Sequence, residues 1–452
     1  MGSMLPAMKT RSLRNLISNI ASVGRQAFGG RLRRGHNGEI GDMCKRLLAI
    51  RSEASAVWLA EEIIDTYAEL NDEKRLDFFG VLLHEFLPNA ENLNAAIEFY
   101  QANPTPDALM KLVKAANSPR QTLFRAINMA PEGTAAIVAM REDLNCFLDQ
   151  QPQLLPVDSD MVYLLRLWFN RGFLSIERID WHTSAAILEK LIAYEAVHEI
   201  RGWDDLRRRL ASDRRFFAFF HPALPDEPLV FVEVALMQSL TGSIESVLQQ
   251  DQPSEDNRGK PDTAIFYSIS NCQPGLTGVS FGDFLIKYVM DELSAELPHI
   301  KTFATLSPIP GFGHWLNDAA TNKVSDLPLT EHGQQQLEQL TDPNWYLNEK
   351  VAAELEPVLL GLCAYYLLIV KEHGEPLDPV ARFHLRNGAR LERINWLGDC
   401  SPKGLKQSAG MLVNYVYETK LVTQNHEAYV NDGEVISSSN VQQLLKAKII
   451  AA

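Results

Sequence analysis

Ser307 opens the run Ser307-Pro308-Ile309-Pro310-Gly311-Phe312, and its hydroxyl is the first group that the pattern of this chain singles out for chemistry. Residues 302–306 before it read as a short strand. The hydroxyl therefore stands at the carboxyl end of a presumed parallel strand, where open α/β sheets place their ligands, and two prolines fix the bend that follows. Leu306-Ser307-Pro308-Ile309 lacks the glycine elbow of a hydrolase nucleophile. Upstream, Gly275, Gly278 and Gly282 punctuate a loop that feeds a segment with Leu285, Tyr288, Val289, Leu293 and Leu297 at helical spacing. Such a junction presents unpaired N–H groups and the positive end of a helix dipole, a seat for a phosphate or pyrophosphate. It matches neither the Walker nor the dinucleotide pattern, and an ordinary tight turn reads the same way. The third candidate is His384, one of 11 histidines, with Asn387-Gly388 behind it and Arg382 and Arg386 beside it. It reads either as a proton-transfer group or as a histidine satisfied by a backbone carbonyl.

Positioning these groups requires a strand at 264–269, the helix after Gly282 and the strand at 302–306, which together form a βαβ unit. Residues 216–220 and 229–236 are also strand-like, and a sheet resumes around 391–397. Residues 249–260 read as a surface loop and 321–357 as a polar insertion of loops and short helices. Arg214 and Arg215 beside aromatic residues read as structural partners of acids. The longest apolar run, 358–370, follows Pro357 and is too short to span a bilayer, so it reads as a core helix. From 39 to about 170 the text is helical almost without interruption. Thr105-Pro106 and Ser118-Pro119-Arg120-Gln121 each place a hydroxyl at an N-cap and proline at the first helical position, with Gln121 at the capping-box position. His84 sits on an apolar stripe and reads as a packed structural residue. The boundary between helical and mixed text falls near Arg171-Gly172.

Composition narrows the possible partners. A net charge of -14 disfavours nucleic acid or an anionic membrane, so an anionic ligand has to be met locally. With 46% hydrophobic and 22% charged residues over 452 positions, the chain reads as a soluble globular protein of two domains. Cys44, Cys146, Cys272, Cys363 and Cys400 are scattered without a CxxC, which points to a reducing compartment, no metal site, and small buried apolar roles. Residues 1–38 hold Lys9, Arg11, Arg14, Arg25, Arg31, Arg33 and Arg34 and no acid, with Leu13, Ile17, Ile20 and Val23 on one helical face. That suits a mitochondrial transit peptide or a basic amphipathic helix of the mature protein. The C-terminal residues carry no peroxisomal tripeptide, and a bacterial-type cytoplasmic placement is the expectation, with the mitochondrial matrix as the alternative.

LSPIPGF, the AIFYSIS and GLTGVSFGDFLIK segments before it, FFAFFHPALPDEPLVFVEVAL and DPVARFHLRNGARLERINWLGD together closely resemble malonyl-CoA decarboxylases. The resemblance covers nearly the whole chain and is densest over about 172–417. It implies an α+β fold, with an all-helical N-terminal domain at 1–171 followed by a mixed-sheet catalytic domain at 172–452 of the Gcn5-related N-acetyltransferase fold. The implied reaction converts malonyl-CoA to acetyl-CoA and carbon dioxide. Loss of carbon dioxide leaves a thioester enolate, so the site needs donors at the thioester oxygen and an acid for the carbon, with no metal and no cofactor beyond the CoA of substrate and product.

By the same resemblance, Ser307 and His384 are the catalytic pair, with His384 the proton donor and Ser307 either orienting the malonyl carboxylate or accepting a hydrogen bond involving it, two roles that the sequence does not separate. Tyr417 matches a tyrosine of the family's site, and Tyr415, two residues away, competes with it on parity. Ser268, the loop residues Thr277, Gly278, Val279, Ser280, Phe281, Gly282 and Asp283, and Asn387 are implied to bind substrate or CoA, with Lys287 adding charge one turn into the helix. Ser280 stands where some members carry a glutamate. Malonyl-CoA is the implied partner, and self-association into a dimer or tetramer through the helical domain is expected. Competing expectations are an acyltransferase on the same fold, which would need an acceptor, and a non-catalytic CoA-sensing interaction protein, which the intact Ser307, His384 and Tyr417 disfavour.

Overall fold

A computed structural model describes residues 39–248, 260–279, 285–321 and 329–445. The basic segment 1–38, most of the loop at 249–260, and Ser280, Phe281, Gly282 and Asp283 of the glycine loop lie outside the described residues. The chain forms two compact units, one comprising Met1–Ser175, Phe220–Glu227 and Gln273–Phe281, the other Ile176–Phe219, Pro228–Cys272 and Gly282–Ala452.

The first unit is helical: α1 (Ile40–Ala49), α2 (Glu53–Ala68), α3 (Asp72–Glu85), α4 (Ala90–Ala102), α5 (Pro106–Ala116), α6 (Pro119–Ile127), α7 (Gly133–Leu148) and α8 (Leu155–Trp168). Among the described residues of 39–170 there is no strand, as the unbroken helical periodicity predicts. Thr105 and Ser118 cap α5 and α6 by accepting the N–H groups of Ala108 and Arg120. The capping box at Gln121 does not form, because its amide donates to Asp160, which also pairs with the buried Arg120. In α3 the inward face is Phe78, Phe79 and Leu82, which turns His84 outward and exposes it, contrary to the packed role its neighbours suggest.

A buried arginine ties the glycine loop into this unit. Arg141 of α7 pairs with Asp158 at 2.7 Å and donates to the carbonyls of Gly275 and Thr277, each at 2.7 Å. Gly275 approaches α7 so closely that a Cβ there would fall 2.0 Å from the Val138 carbonyl oxygen. Its glycine requirement is therefore one of backbone packing. Gly278 differs: its φ is +76° and nothing lies within 4 Å of where a Cβ would be.

The second unit carries a seven-stranded sheet in the order β1-β2-β3-β4-β5-β9-β8. The strands are β1 (Ser175–Arg178), β2 (Arg214–Phe220), β3 (Val230–Met237), β4 (Thr263–Asn271), β5 (Thr302–Thr305), β8 (Arg390–Asn395) and β9 (Leu412–Tyr417), with a separate small hairpin of β6 (Lys371–Glu372) and β7 (Glu375–Pro376). β4 and β5 are parallel, while β2 to β4 and β5, β9 and β8 pair antiparallel. Helix α9 (Leu285–Glu296) joins β4 to β5 and completes the expected βαβ unit.

One face of the sheet is apolar, with Ala235, Ile265, Tyr267, Ala304, Leu306, Leu412 and Val416 in one cluster. Side chains alternate along a strand, so Thr305 and Ser307 on one side and Tyr415 and Tyr417 on the other share the opposite face. Arg214 pairs with Asp213, and Arg215 with Glu296, as their structural reading predicts. Helix α10 (Glu349–Leu368) starts earlier than expected and contains Pro357 in its interior. The proline removes one helical N–H, and burial of Leu355, Val358, Leu359 and Leu362 on either side carries the helix through the gap. By length and composition α10 is apolar enough to cross a membrane, yet these side chains are packed inside the protein. All five cysteines are free; Cys44, Cys272 and Cys363 are buried, whereas Cys146 is exposed.

The two glycines predict different outcomes. Gly275→Ala forces a methyl into the Val138 backbone and should lower the melting temperature, at a cost of about 1–3 kcal/mol. Gly278→Ala meets only the left-handed backbone penalty, about 1 kcal/mol, and should melt closer to the parent. Equal melting temperatures for the two variants would contradict this packing account.

Candidate active site

β4 and β5 stay in register only as far as the pair Phe266 and Thr305, with the Leu306 N–H donating to the Phe266 carbonyl as the last rung. Directly after that point β4 bulges. Glu233 faces Ser268 and Val234 faces Phe266, which leaves Tyr267 without an opposite residue. A bulge bends its strand and ends regular pairing, and bulges recur beside active sites. The strands part here and open a cavity of about 260 Å³. Its lining includes Phe266, Tyr267, Ser268 and Ile269 from β4, Leu306, Ser307 and Pro308 beyond β5, and Val380, Phe383 and His384. It therefore sits at the carboxyl ends of the parallel pair.

The Ser307 backbone is held on both sides: its N–H donates to the Val413 carbonyl at 2.8 Å, and the Val413 N–H donates back at 2.9 Å. The Pro-Ile-Pro-Gly turn then packs on α10, where a Cβ at Gly311 would lie 2.4 Å from the Tyr366 hydroxyl. His384 comes from α11 (Pro379–Arg386). Asp378 caps that helix by accepting the Ala381 N–H at 2.8 Å, and Pro379 takes the first helical position. Burial pushes the Asp378 carboxyl up to about 6. The N–H groups of Asn387 and Gly388 close the other end on the carbonyls of Phe383 and Leu385. The turn after His384 is thus a helix cap, and those two N–H groups are already used.

The side chains on the polar face of the sheet make one chain of hydrogen bonds. His384 Nε2 lies 3.0 Å from Ser307 Oγ, and its Nδ1 lies 2.8 Å from the Tyr417 hydroxyl. Ser307 Oγ donates to Thr305 Oγ1 at 2.8 Å, and Thr305 Oγ1 also accepts the Tyr415 N–H at 3.2 Å. A hydroxyl has one proton, so Ser307, having given its own to Thr305, accepts from Nε2. The imidazole then carries its proton on Nε2 and accepts the Tyr417 phenol at Nδ1. Burial favours this neutral form and pushes the His384 pKa down to about 3. The Tyr415 ring stacks on the imidazole, with centroids 4.6 Å apart and planes 27° apart. Both tyrosines contact His384, one through its hydroxyl and one through its ring.

Ser268 lines the cavity, and behind it the Glu195 carboxylate accepts the Ser268 hydroxyl at 2.8 and 2.9 Å, Ser270 at 3.2 Å, and the N–H groups of Val197 and His198 at 2.7 Å each. Thr277, Gly278 and Val279 are held in the helical unit, where the N–H groups of Thr277 and Val279 bond within the loop and Arg166 donates to the Gly278 carbonyl at 3.0 Å. Asn387 is buried outside the cavity lining, with its amide on the Phe383 carbonyl. Arg382 donates to the Pro376 and Leu377 carbonyls and Arg386 pairs with Glu375, so neither supplies charge to the cavity. Burial depresses the pKa of Lys287.

Sequence reasoning missed Glu195 and Thr305. Thr305 was reachable from strand parity, being two residues before Ser307 on the same face. Glu195 left no local signal. Among the described residues no group of His, Cys, Asp and Glu side chains has the makings of a metal site.

Comparison with known proteins adds to this geometry. The family model for the malonyl-CoA decarboxylase C-terminal domain matches residues 172–451, and that for the N-terminal domain matches 86–169. A mitochondrial malonyl-CoA decarboxylase of Anser anser anser is 38% identical over 343 residues, covering 71% of this chain and 68% of that protein. The corresponding Rattus norvegicus protein is 35% identical over 345 residues, with 72% and 70% covered. The crystal structure of malonyl-CoA decarboxylase from Rhodopseudomonas palustris superposes with a TM-score of 0.85 at 46% identity, covering 90% of this chain and 98% of that one. The structure from Cupriavidus metallidurans gives a TM-score of 0.69 at 34% identity, with 90% and 98% covered. On these matches, this chain, a helical region followed by a mixed-sheet domain, belongs to the malonyl-CoA decarboxylase family.

Proposed function

We propose that this protein decarboxylates malonyl-CoA to acetyl-CoA and carbon dioxide in the cavity between β4 and β5, using Ser307, His384 and Tyr417. The observation that carries the reading is the hydrogen-bonded Ser307, His384 and Tyr417 set, with Ser307 and His384 at the wall of a cavity at the carboxyl ends of a parallel pair. A cavity of about 260 Å³ suits the malonyl-thioester end of the substrate. The bond between the carboxylate carbon and the α-carbon breaks, its electron pair remains as the thioester enolate, and carbon dioxide leaves. Ser307 aims the imidazole by accepting its Nε2–H. His384 delivers its Nε2 proton to the α-carbon while Nδ1 takes the phenol proton of Tyr417; after product leaves, Nδ1 returns that proton to Tyr417 and one proton from solvent restores Nε2–H. A neutral imidazole acting as donor is an established device where the protein environment holds the histidine uncharged. Ser268, Asn387 and the glycine loop 277–283 serve the substrate's CoA portion in this reading.

We infer that the helical domain, read from the sequence as 1–171, is an assembly platform through which the chain self-associates. Phe99, Leu109, Met110 and Val113 leave apolar surface exposed on α4 and α5. A bacterial-type cytoplasmic setting is our reading of the compartment, the mitochondrial names of two relatives marking the alternative.

Incubation with malonyl-CoA alone should yield carbon dioxide and acetyl-CoA in equal amounts; turnover that requires an added acyl acceptor would overturn the reading. Ser307→Ala and His384→Ala should each lower kcat by about 10²–10³, or about 2.7–4 kcal/mol, with much smaller changes in KM, since most ground-state affinity comes from the remote CoA portion. Because both act on one event, the double variant should lose less than the product of the two losses. Strictly multiplicative losses in folded variants would assign the residues to separate steps.

The depressed His384 pKa fixes the sign of a pH effect. Below about pH 6.5 the unfolded chain binds the proton that the folded site refuses, so this group's contribution to stability is complete above that pH and is lost as pH falls toward 3. Denaturant melts should therefore weaken through that window, less so for His384→Gln. The kcat profile should show no inflection from this histidine near 6.5.

Self-association predicts that light scattering at micromolar concentration gives a mass above 50.8 kDa. A monomer would reject it.

A further inference from the structure

Ser307 is useful to His384 only while its lone pair, rather than its proton, faces Nε2. A serine hydroxyl rotates freely unless something fixes it, and here the fixed partner is Thr305. Thr305 is fully buried, and its Oγ1 lies 2.8 Å from Ser307 Oγ on the same face of the extended strand. Its own position is over-determined. Strand register sets Thr305 opposite Tyr415, but the ladder bonds between them are replaced by side chains. The Tyr415 N–H goes to Thr305 Oγ1 at 3.2 Å, and the Thr305 carbonyl takes the Asn414 amide at 2.7 Å.

We propose that Thr305 is a positioning residue of the reaction, one that captures the Ser307 proton and thereby holds His384 as the tautomer with its proton on Nε2, directed at Ser307 on the cavity wall. The inference rests on the decarboxylase reading above. Without the Thr305 oxygen, the Ser307 hydroxyl turns to donate to Nε2, the imidazole proton moves to Nδ1, and the donor at the cavity is lost. No group changes charge in this rearrangement. The fault is one of direction alone, and substrate affinity is left nearly intact.

The experiment compares the parent with Thr305→Val and Thr305→Ser in the full-length protein. Long-range correlation spectra of the 15N-histidine-labelled protein report which ring nitrogen is protonated, with the His384 signals assigned by their absence in His384→Asn. The parent should show the Nε2–H pattern, Thr305→Val the Nδ1–H pattern, and Thr305→Ser the parental one. In step with this, kcat of Thr305→Val should fall about 10²-fold with KM within about threefold of the parent, and Thr305→Ser should recover most of the loss. Thermal melts accompany each variant, since loss of stability alone changes neither the tautomer nor the split between kcat and KM. An Nδ1–H pattern in the parent overturns the proposal whether or not the valine variant folds. So does an unchanged tautomer in a folded Thr305→Val. Absence of decarboxylation by the parent would instead remove the functional reading, while the tautomer result would stand by itself.

Discussion

Everything at this site follows from the place where two parallel strands stop pairing. Up to Phe266 and Thr305, β4 and β5 are held by an ordinary ladder; after it, the bulge at Tyr267 turns β4 away. Two neighbouring strands that part leave backbone groups unpaired, and a buried unpaired group costs about 1–3 kcal/mol. On the other edge of β5, facing β9, side chains also enter the ladder: the Asn414 amide donates to the Thr305 carbonyl and Thr305 Oγ1 accepts the Tyr415 N–H, while Ser307 and Val413 exchange two backbone bonds. The residues that enter the ladder are thus next to the residues that bound the cavity.

The same location explains the electrostatics. His384, Tyr415 and Tyr417 are all buried, and burial disfavours every charged form available to them. A neutral chain of donors and acceptors satisfies this requirement while keeping the Nε2–H on Ser307, at the wall of the cavity. Had the imidazole been intended to titrate near neutrality, a carboxylate would be expected at Nδ1, and a phenol stands there instead. The carboxylate behind Ser268 of the cavity wall, Glu195, is spent on Ser268, Ser270 and two backbone N–H groups.

The strands, the crossing helix and the serine at the strand end were legible in the sequence because each is encoded locally, by an apolar run, a helical period or a proline-fixed bend. Ser307, His384 and Tyr417 came from long motifs in a familiar order, and the structure brings these three together. What escaped depends on residues that meet only after folding. Glu195 reaches Ser268 across 73 positions, and the bulge at Tyr267 is a property of β3 and β4 together. Rotation about a helix axis is equally invisible at the level of a stripe, which is why His84 turned out exposed. Arg382 and Arg386 illustrate a related limit: proximity in sequence to His384 placed them beside the site, whereas the helix directs them to Pro376, Leu377 and Glu375.

The paired backbone bonds between Ser307 and Val413 make the reactive serine a rung of the central sheet. Amides in such a position exchange with solvent only when the sheet itself opens, in contrast to those of a loop that opens locally at little cost. Short of such opening, motion of the serine is therefore confined to its side-chain torsions. Any gating of the cavity has to come from elements outside the sheet, and the serine marks time against the slowest fluctuations that the second unit has.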